Sequence, residues 1–192
     1  MRSIYSILLI FACSLPLALQ GQVKDSTSRY MNINAIDILY GSSGGGITNT
    51  VTVHSTHHFK VNDHFFVGGG FGMDFHIRNI TSFPFFVQAG AKLTKTKVSP
   101  VIIQDVGYSI GLRSQPWDFV FTEDYVGHGL YASTFAGVHI QTKKRVSFQT
   151  GLDYQFQQFK FDYFNFFWEG ENLPSDLNIR LHRLGYSFAI VL

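Results

Sequence analysis

Cysteine is almost absent from this sequence, which has one, Cys13, among 192 residues. Because Cys13 lies in a leader segment expected to be removed, the sequence predicts no disulfide framework, thiol nucleophile or cysteine-based metal site. Charged residues are also scarce: they make up 15% of the chain, against about 25% in a typical soluble domain. A formal net charge of +2 gives no reason to expect nucleic acid or another strongly charged partner.

Apolar runs of helix length are missing after Gly21. A membrane-spanning helix needs about 20 consecutive apolar residues. Backbone exposed to lipid must have all of its hydrogen bonds made within the protein. If this chain spans a membrane, we therefore expect it to do so as a closed barrel.

The N-terminal segment is typical of an export signal. Arg2 is followed by apolar runs over residues 4–12 and 15–19, and Gly21 is the predicted last residue before cleavage. Residues 10–13 resemble a lipoprotein box, which leaves lipidation of Cys13 as an alternative, although bulky Phe11 fits such a box poorly. We expect a signal peptide over residues 1–21 and one domain over residues 22–192.

The residues that are abundant indicate β structure: 20 phenylalanines, 18 glycines and nine tyrosines. The last stretch of the chain shows the pattern best, because its residues alternate between two faces with the period of a strand. One face is large and apolar: Leu184, Tyr186, Phe188, Ile190 and Leu192. The other face is small or polar: Arg183, Gly185, Ser187 and Ala189.

Similar segments recur along the chain and predict an all-β fold, a single antiparallel up-and-down transmembrane β-barrel of about eight strands. The predicted strands cover residues 29–40, 47–60, 65–78, 85–94, 98–112, 130–141, 146–157 and from about 178 onward. Alternation in the first strand breaks near Ala35 and Ile36, which either a bulge or a dry lumen-facing residue would explain. Connections after strands two, four and six are short, and those after five and seven are long, as in outer-membrane barrels.

This pattern resembles the small eight-stranded outer-membrane barrels, namely the OmpX-like proteins and the transmembrane domain of OmpA-like proteins. Arg183, Gly185, Phe188 and Ile190 match the barrel-assembly signal of such proteins, although the chain ends in Leu192 and not in an aromatic residue. The resemblance implies a porin-like barrel in the Gram-negative cell envelope, with both chain ends in the periplasm and the long loops extracellular. It implies outer-membrane lipid, lipopolysaccharide and the barrel-assembly machinery as partners.

Five charged residues fall on the small, inward faces of the predicted strands: Asp74, Lys92, Asp105, Asp153 and Arg183. One hypothesis is an ion path. The favoured one is a salt-bridged network that fills the lumen, because an eight-stranded barrel is just wide enough for its own side chains and buried charges must pair.

The two long loops combine acidic and aromatic residues, whereas the short turns are basic. The candidate loop contacts are Trp117, Phe164, Phe166, Phe167 and Trp168. Aromatic residues at a barrel rim serve as interface anchors, but a cluster of this size also indicates an interaction site for a surface protein partner.

Catalytic and metal sites are not supported by the spacing of the histidines. His54 and His58 would share a strand face but lie roughly 13 Å apart, too far to hold one ion. His54-Ser55-Thr56 is the nearest approach to the His-x-Ser pair of lipid A deacylases, without an evident acidic partner. We expect no enzyme activity, cofactor or metal. A lipid A deacylase-like or acyltransferase-like barrel and a secreted lipocalin-like lipid carrier remain as alternatives.

Overall fold

The structure is a computed structural model, and it describes residues 29–43, 46–76, 80–113, 125–142, 146–162 and 176–192. Eight antiparallel strands follow one another around a closed barrel, each paired with its neighbours in sequence. The strands are β1 (Tyr30–Ser43), β2 (Gly46–Lys60), β3 (Phe65–His76), β4 (Ile80–Lys92), β5 (Val98–Arg113), β6 (Tyr125–Gln141), β7 (Ser147–Asp162) and β8 (Asp176–Val191). The predicted fold class is confirmed.

The barrel closes where β1 pairs with β8. Their register runs without interruption from Ile33↔Val191 to Ser42↔His182. Gly185 is required here, because a Cβ at this position would lie 2.0 Å from the carbonyl oxygen of Ile38 on the neighbouring strand. The absent side chain therefore allows the two backbones to approach at the seam.

The first strand contains no bulge. Its pairing with β2 is continuous from Tyr30↔Phe59 to Ser43↔Gly46. Met31, Ile33, Ala35 and Leu39 are buried on the inward face, so the second of the two explanations, apolar residues facing the lumen, accounts for the irregular alternation.

The outward face of the barrel is an exposed apolar belt to which every strand contributes. On β8, Leu184, Tyr186 and Phe188 are exposed to 56%, 55% and 47%. A water-soluble protein rarely exposes a continuous apolar surface of this extent, whereas a lipid-facing barrel requires one. No helix in the described ranges is both long enough and apolar enough to cross a bilayer.

At one end of the barrel, β4, β6 and β7 each extend five residues beyond their predicted limits, and β1 extends three. The predicted loop before residue 85 is wrong, because Ile80 to Pro84 belong to β4 and pair with β5. The β3–β4 ladder is broken between Phe71↔Phe85 and Asp74↔Ser82, beside a proline, which has no N–H to donate. β6 begins at Tyr125 and β7 ends at Asp162, so the boundaries predicted at 130 and 157 are also wrong.

The two ends of the barrel differ. The end that carries residues 61–64 and 93–97, with residues 30, 142, 146 and 191, is called the turn end; the opposite end, where β5 and β7 end, is called the loop end. At the turn end, Lys95 Nζ lies 2.6 Å from Asp63 Oδ2. This hydrogen bond lowers the pKa of the exposed Asp63 carboxyl.

Candidate functional site

The lumen is the candidate site, because alternate residues of each strand place their side chains inside the barrel. The inward residues of β8 run from the turn end to the loop end in the order Val191, Ala189, Ser187, Gly185, Arg183 and Leu181. Those of β7 run in the order Gln149, Gly151, Asp153, Gln155, Gln157 and Phe159. These rows pass through four layers of different chemistry.

The layer nearest the turn end is apolar and is called the floor. It consists of Met31, Ile33, Ala35, Phe66, Val101, Ile103, Phe135, Ala189 and Val191. All nine side chains are buried, so they form a continuous core across the inside of the barrel. At the mouth beside this layer, Lys92 Nζ lies 3.1 Å from His139 Nε2.

The next layer surrounds a small cavity that is lined by apolar side chains of the floor and by polar side chains. His54 Nδ1 lies 3.2 Å from Asp37 Oδ2, and the Ser133 hydroxyl donates to Asp153 Oδ1 at 2.6 Å. Asp105 also lines the cavity. Three carboxyl groups, those of Asp37, Asp105 and Asp153, therefore lie in the middle of the lumen.

The third layer is organised around Arg183, which is 1% exposed. Its Nη1 donates to Thr50 Oγ1 at 2.9 Å and to His76 Nδ1 at 2.9 Å. Its Nη2 donates to the side-chain oxygen of Gln157. Since a guanidinium can only donate, His76 Nδ1 is an acceptor here and the imidazole proton lies on Nε2.

Two hydrogen-bonded routes connect Arg183 with Asp74. In one, Gln157 accepts from Arg183 and donates through Nε2 to Asp74 Oδ2 at 2.8 Å. In the other, His76 Nε2 donates to Ser82 Oγ at 3.1 Å, and Ser82 donates to Asp74 Oδ2 at 2.8 Å. The positive and negative groups are thus joined through neutral side chains.

The last layer, called the roof, is apolar again. Phe159 and Leu181 are 0% and 2% exposed, and Ile179 packs against them. Phe159 also meets the His76 ring edge to face, with 6.3 Å between the ring centroids. The polar layers therefore lie between an apolar floor and an apolar roof, both built from strand residues.

The five charged residues predicted to form one network occupy three levels. Asp74 and Arg183 share the third layer, Asp105 and Asp153 share the cavity, and Lys92 lies at the turn-end mouth. Within the described residues, no two of the five form a direct ion pair. Lys92 is ten positions from Ser82 along β4, which is roughly 33 Å of strand.

The other predicted positions are distributed between the seam and the loops. Arg183 and Gly185 face inward on β8, and Phe188 and Ile190 face outward; their recognition by an assembly factor stays a prediction. The candidate loop contacts lie outside the described residues: Trp117, Phe164, Phe166, Phe167 and Trp168.

Several polar residues of the lumen were not among the sequence-based candidates. Gln157, His76 and Thr50 make most of the contacts of Arg183, and Asp37 pairs with His54. Their inward position follows from the period of two. The identity of their hydrogen-bond partners does not follow from this period. Gln157 and Asp74 are 83 positions apart, and the stagger of the closed barrel brings them together.

The histidines are divided between the two faces. His54 and His58 point into the lumen, and His57 points outward. The described part of the chain contains no group of three His, Cys, Asp or Glu residues placed to hold a metal ion. Thr56, the third residue of the His-x-Ser-like motif, is buried in the lumen and lies 3.3 Å from the carbonyl oxygen of Ile33.

Solved structures with a similar fold are membrane barrels. Neisserial surface protein A matches with a TM-score of 0.61 at 11% sequence identity, over 85% of this chain and 97% of that chain. The N-terminal barrel domain of Pseudomonas aeruginosa OprF matches with a TM-score of 0.45 at 10% identity, over 84% and 98%. The outer-membrane enzyme PagL matches with a TM-score of 0.42 at 13% identity, over 80% and 97%.

No family model matches the sequence, and no curated protein is similar to it. The likeness to Neisserial surface protein A therefore bears on the fold alone. Together with the closed barrel and its exposed apolar belt, it shows that the chain has the fold of an eight-stranded outer-membrane β-barrel.

Replacing Gln157 with leucine tests the bridge between Arg183 and Asp74. The substitution removes one hydrogen-bond partner from each of two buried charged groups, Arg183 and Asp74. We therefore expect the free energy of unfolding to fall by roughly 2–4 kcal/mol. Unfolding in urea, followed by the heat-modifiable gel mobility of the barrel, measures the change.

The matched control is Gln158→Leu, the same substitution one residue later on the opposite face. Gln158 points outward and donates to Asn178 at 3.1 Å, so its replacement should change stability by less than about 0.5 kcal/mol. Equal effects of the two substitutions would contradict the role given to Gln157.

Proposed function

We propose that the protein is an integral outer-membrane barrel that does not conduct ions and acts through its outer surface and loops, in a structural or surface-interaction role. The observation that carries this proposal is the layered lumen, in which polar side chains bond one another between an apolar floor and an apolar roof. A barrel filled in this way offers no continuous water path.

The lipocalin-like alternative is not favoured, because it requires the opposite distribution of side chains. A soluble lipid carrier places apolar residues around its cavity and charged residues outside. In this barrel, Asp105 and Asp153 line the cavity, while Phe71 and Phe188 are exposed to 44% and 47%.

An enzymatic role on outer-membrane lipid is also not favoured. The acyl chains of a membrane lipid reach the outside of a barrel, whereas His54 and Thr56 face the lumen. His54 Nδ1 lies 3.2 Å from an Asp37 carboxylate oxygen, and the Thr56 hydroxyl donates to a backbone carbonyl. We therefore propose a barrel without catalytic activity and without a cofactor.

The proposed location is the outer membrane, with the chain ends and the short turns in the periplasm and the long loops outside the cell. Short periplasmic turns and long extracellular loops are the rule for such barrels. The sequence supports this orientation, because the connections at the loop end include the two longest ones. On this proposal, the aromatic residues of those loops contact a surface partner.

Planar bilayers test the closed lumen. The purified protein should insert, keep its heat-modifiable mobility and give no discrete current steps, because the floor and the roof fill the bore. A large water-filled porin in the same bilayers serves as the positive control. Reproducible current steps from this protein would refute a closed lumen.

Protease sites inserted in two connections test the orientation. A site placed after residue 169 should be cut by protease added to intact cells, and one placed after residue 144 should be cut only after the outer membrane is opened. The reverse cleavage pattern would show the opposite orientation.

Serine at positions 164, 166, 167 and 168 tests the proposed role of the loop. Cells that carry these substitutions should assemble the barrel normally and lose binding to the surface partner. Unchanged binding would contradict the loop proposal.

Mass spectrometry of lipid A tests the absence of catalysis. Cells that express the barrel should contain lipid A with the same acyl chains as cells without it, because the candidate pair His54 and Thr56 faces the lumen. The loss or gain of one acyl chain in expressing cells would show that the barrel is an enzyme after all.

A further inference from the structure

Four basic side chains lie on one sector of the outer surface near the loop end. They are His128 on β6, Lys160 on β7, and Arg180 and His182 on β8. All four are exposed. We call this group the basic patch. Its position outside the barrel is unexpected, because the same strands are apolar on their outward face nearer the turn end.

The register of the sheet brings the patch together. His128 is directly opposite Lys160. Lys160 pairs with Asn178, and Arg180 lies two residues further along the same strand. Lys160 and Arg180 are therefore diagonal neighbours. Such diagonal neighbours are separated by roughly 7–8 Å. Among the described side chains, neither Lys160 nor Arg180 has an acidic partner within ion-pair distance. Two register steps further toward the loop end, Asp162 pairs with Asp176, so the patch borders acidic positions on that side.

Two tyrosines hold the imidazole rings of the patch. Tyr108 Oη lies 2.5 Å from His128 Nδ1, and Tyr154 Oη lies 2.8 Å from His182 Nδ1. When the phenol donates to Nδ1, the imidazole proton lies on Nε2. Both rings then present an N–H donor on the side away from the tyrosine.

The upper part of the patch, at Lys160 and His128, corresponds in height to a lipid headgroup region, whereas His182, which pairs with Phe156, lies lower, beside the apolar belt. Phe148 and Lys160 are twelve positions apart on β7, which is roughly 40 Å of strand and about 30 Å along the axis of a tilted barrel. An apolar belt is about 25 Å tall, so Lys160 lies just beyond it. Leu130, 47% exposed, lies directly below the patch.

The patch is confined to one side of the barrel. On β5, the residue opposite His128 is Ile110, which is apolar and 39% exposed. On β1, the residue opposite His182 is Ser42, so the basic residues do not continue onto either neighbouring strand at this level. A sector of basic donors above apolar surface matches one amphipathic molecule.

We propose that the basic patch binds the phosphate group of an anionic lipid headgroup at the loop-end surface of the membrane. Lysine and arginine form charge-assisted hydrogen bonds with phosphate oxygens, and basic groups near a bilayer attract anionic lipids. The acyl chains of that lipid lie along Leu130 and Phe156, which a soluble phosphate compound does not use. This inference rests on the proposed membrane location.

The experiment is native mass spectrometry of the barrel in zwitterionic micelles, titrated with phosphatidylglycerol and separately with bis-phosphorylated lipid A. The test variant is K160A/R180A. Each basic residue near a membrane surface contributes a factor of about five in affinity, so we expect binding of the anionic lipid to weaken roughly thirtyfold. The matched control, K95A/K97A, removes the same charge from exposed lysines at the turn end and should bind as the wild type does.

The inference is supported if the wild type binds both lipids or lipid A alone, and if this binding is lost in K160A/R180A and kept in K160R/R180K. Which of the lipids binds identifies the lipid class. Equal binding by wild type and K160A/R180A overturns it, as does an equal loss in K95A/K97A, which would indicate net charge alone. Displacement by inorganic phosphate at equal concentration would also overturn it. Heat-modifiable mobility is measured for each protein, because a wild-type chain that does not form an inserted barrel would refute the proposed function instead.

Discussion

A strand in lipid must have both of its edges hydrogen-bonded, because no water is present there to satisfy a free amide or carbonyl group. The pairing of β1 with β8 meets this requirement, and the continuous register from Ile33↔Val191 to Ser42↔His182 leaves no gap at the seam. Gly185 is needed for that approach of the two backbones. Since the seam joins the first and the last strand, β1 keeps a free edge until β8 is in place. Closure is therefore the step on which the rest of the fold depends.

Closure at eight strands also fixes the width of the interior, which is just large enough for the inward side chains. A charged group in such a space must find its partners among the residues that the stagger places beside it. Among the described side chains, no carboxylate pairs directly with Arg183, but Gln157 can accept from the guanidinium and donate to Asp74 at the same time. His76 and Ser82 repeat this arrangement on a second route. Neutral amide and hydroxyl groups thereby hydrogen-bond both buried charged groups, although Asp74 Oδ1 and Arg183 Nε have no hydrogen-bond partner among the described residues.

Much of the fold could be predicted from the sequence, because the alternation of side chains that indicates a strand is a local pattern. The alternation in β8 assigns Arg183 inward and Phe188 outward, as the structure places them. The limits of β6 and β7 were wrong because residues such as His128 and Lys160 lie beyond the apolar belt, where the outward face no longer has to be apolar. The partners of Arg183 could not be predicted either. Thr50 is 133 positions away from it, and the contact follows from the stagger of the closed barrel, which no local pattern encodes.

The lumen and the outer surface differ in what they offer to another molecule. Inside, the floor and the roof enclose the polar groups, and those groups bond mainly to one another. Outside, the strands continue past the apolar belt at the loop end, and the added residues carry exposed Lys160 and Arg180 without described acidic partners. Because the strands need only the height of the belt to span the membrane, this extra length has no role in crossing it. On the proposed surface role, the chemistry of these added residues is directed at the membrane surface, where a barrel with a closed bore would interact with other molecules.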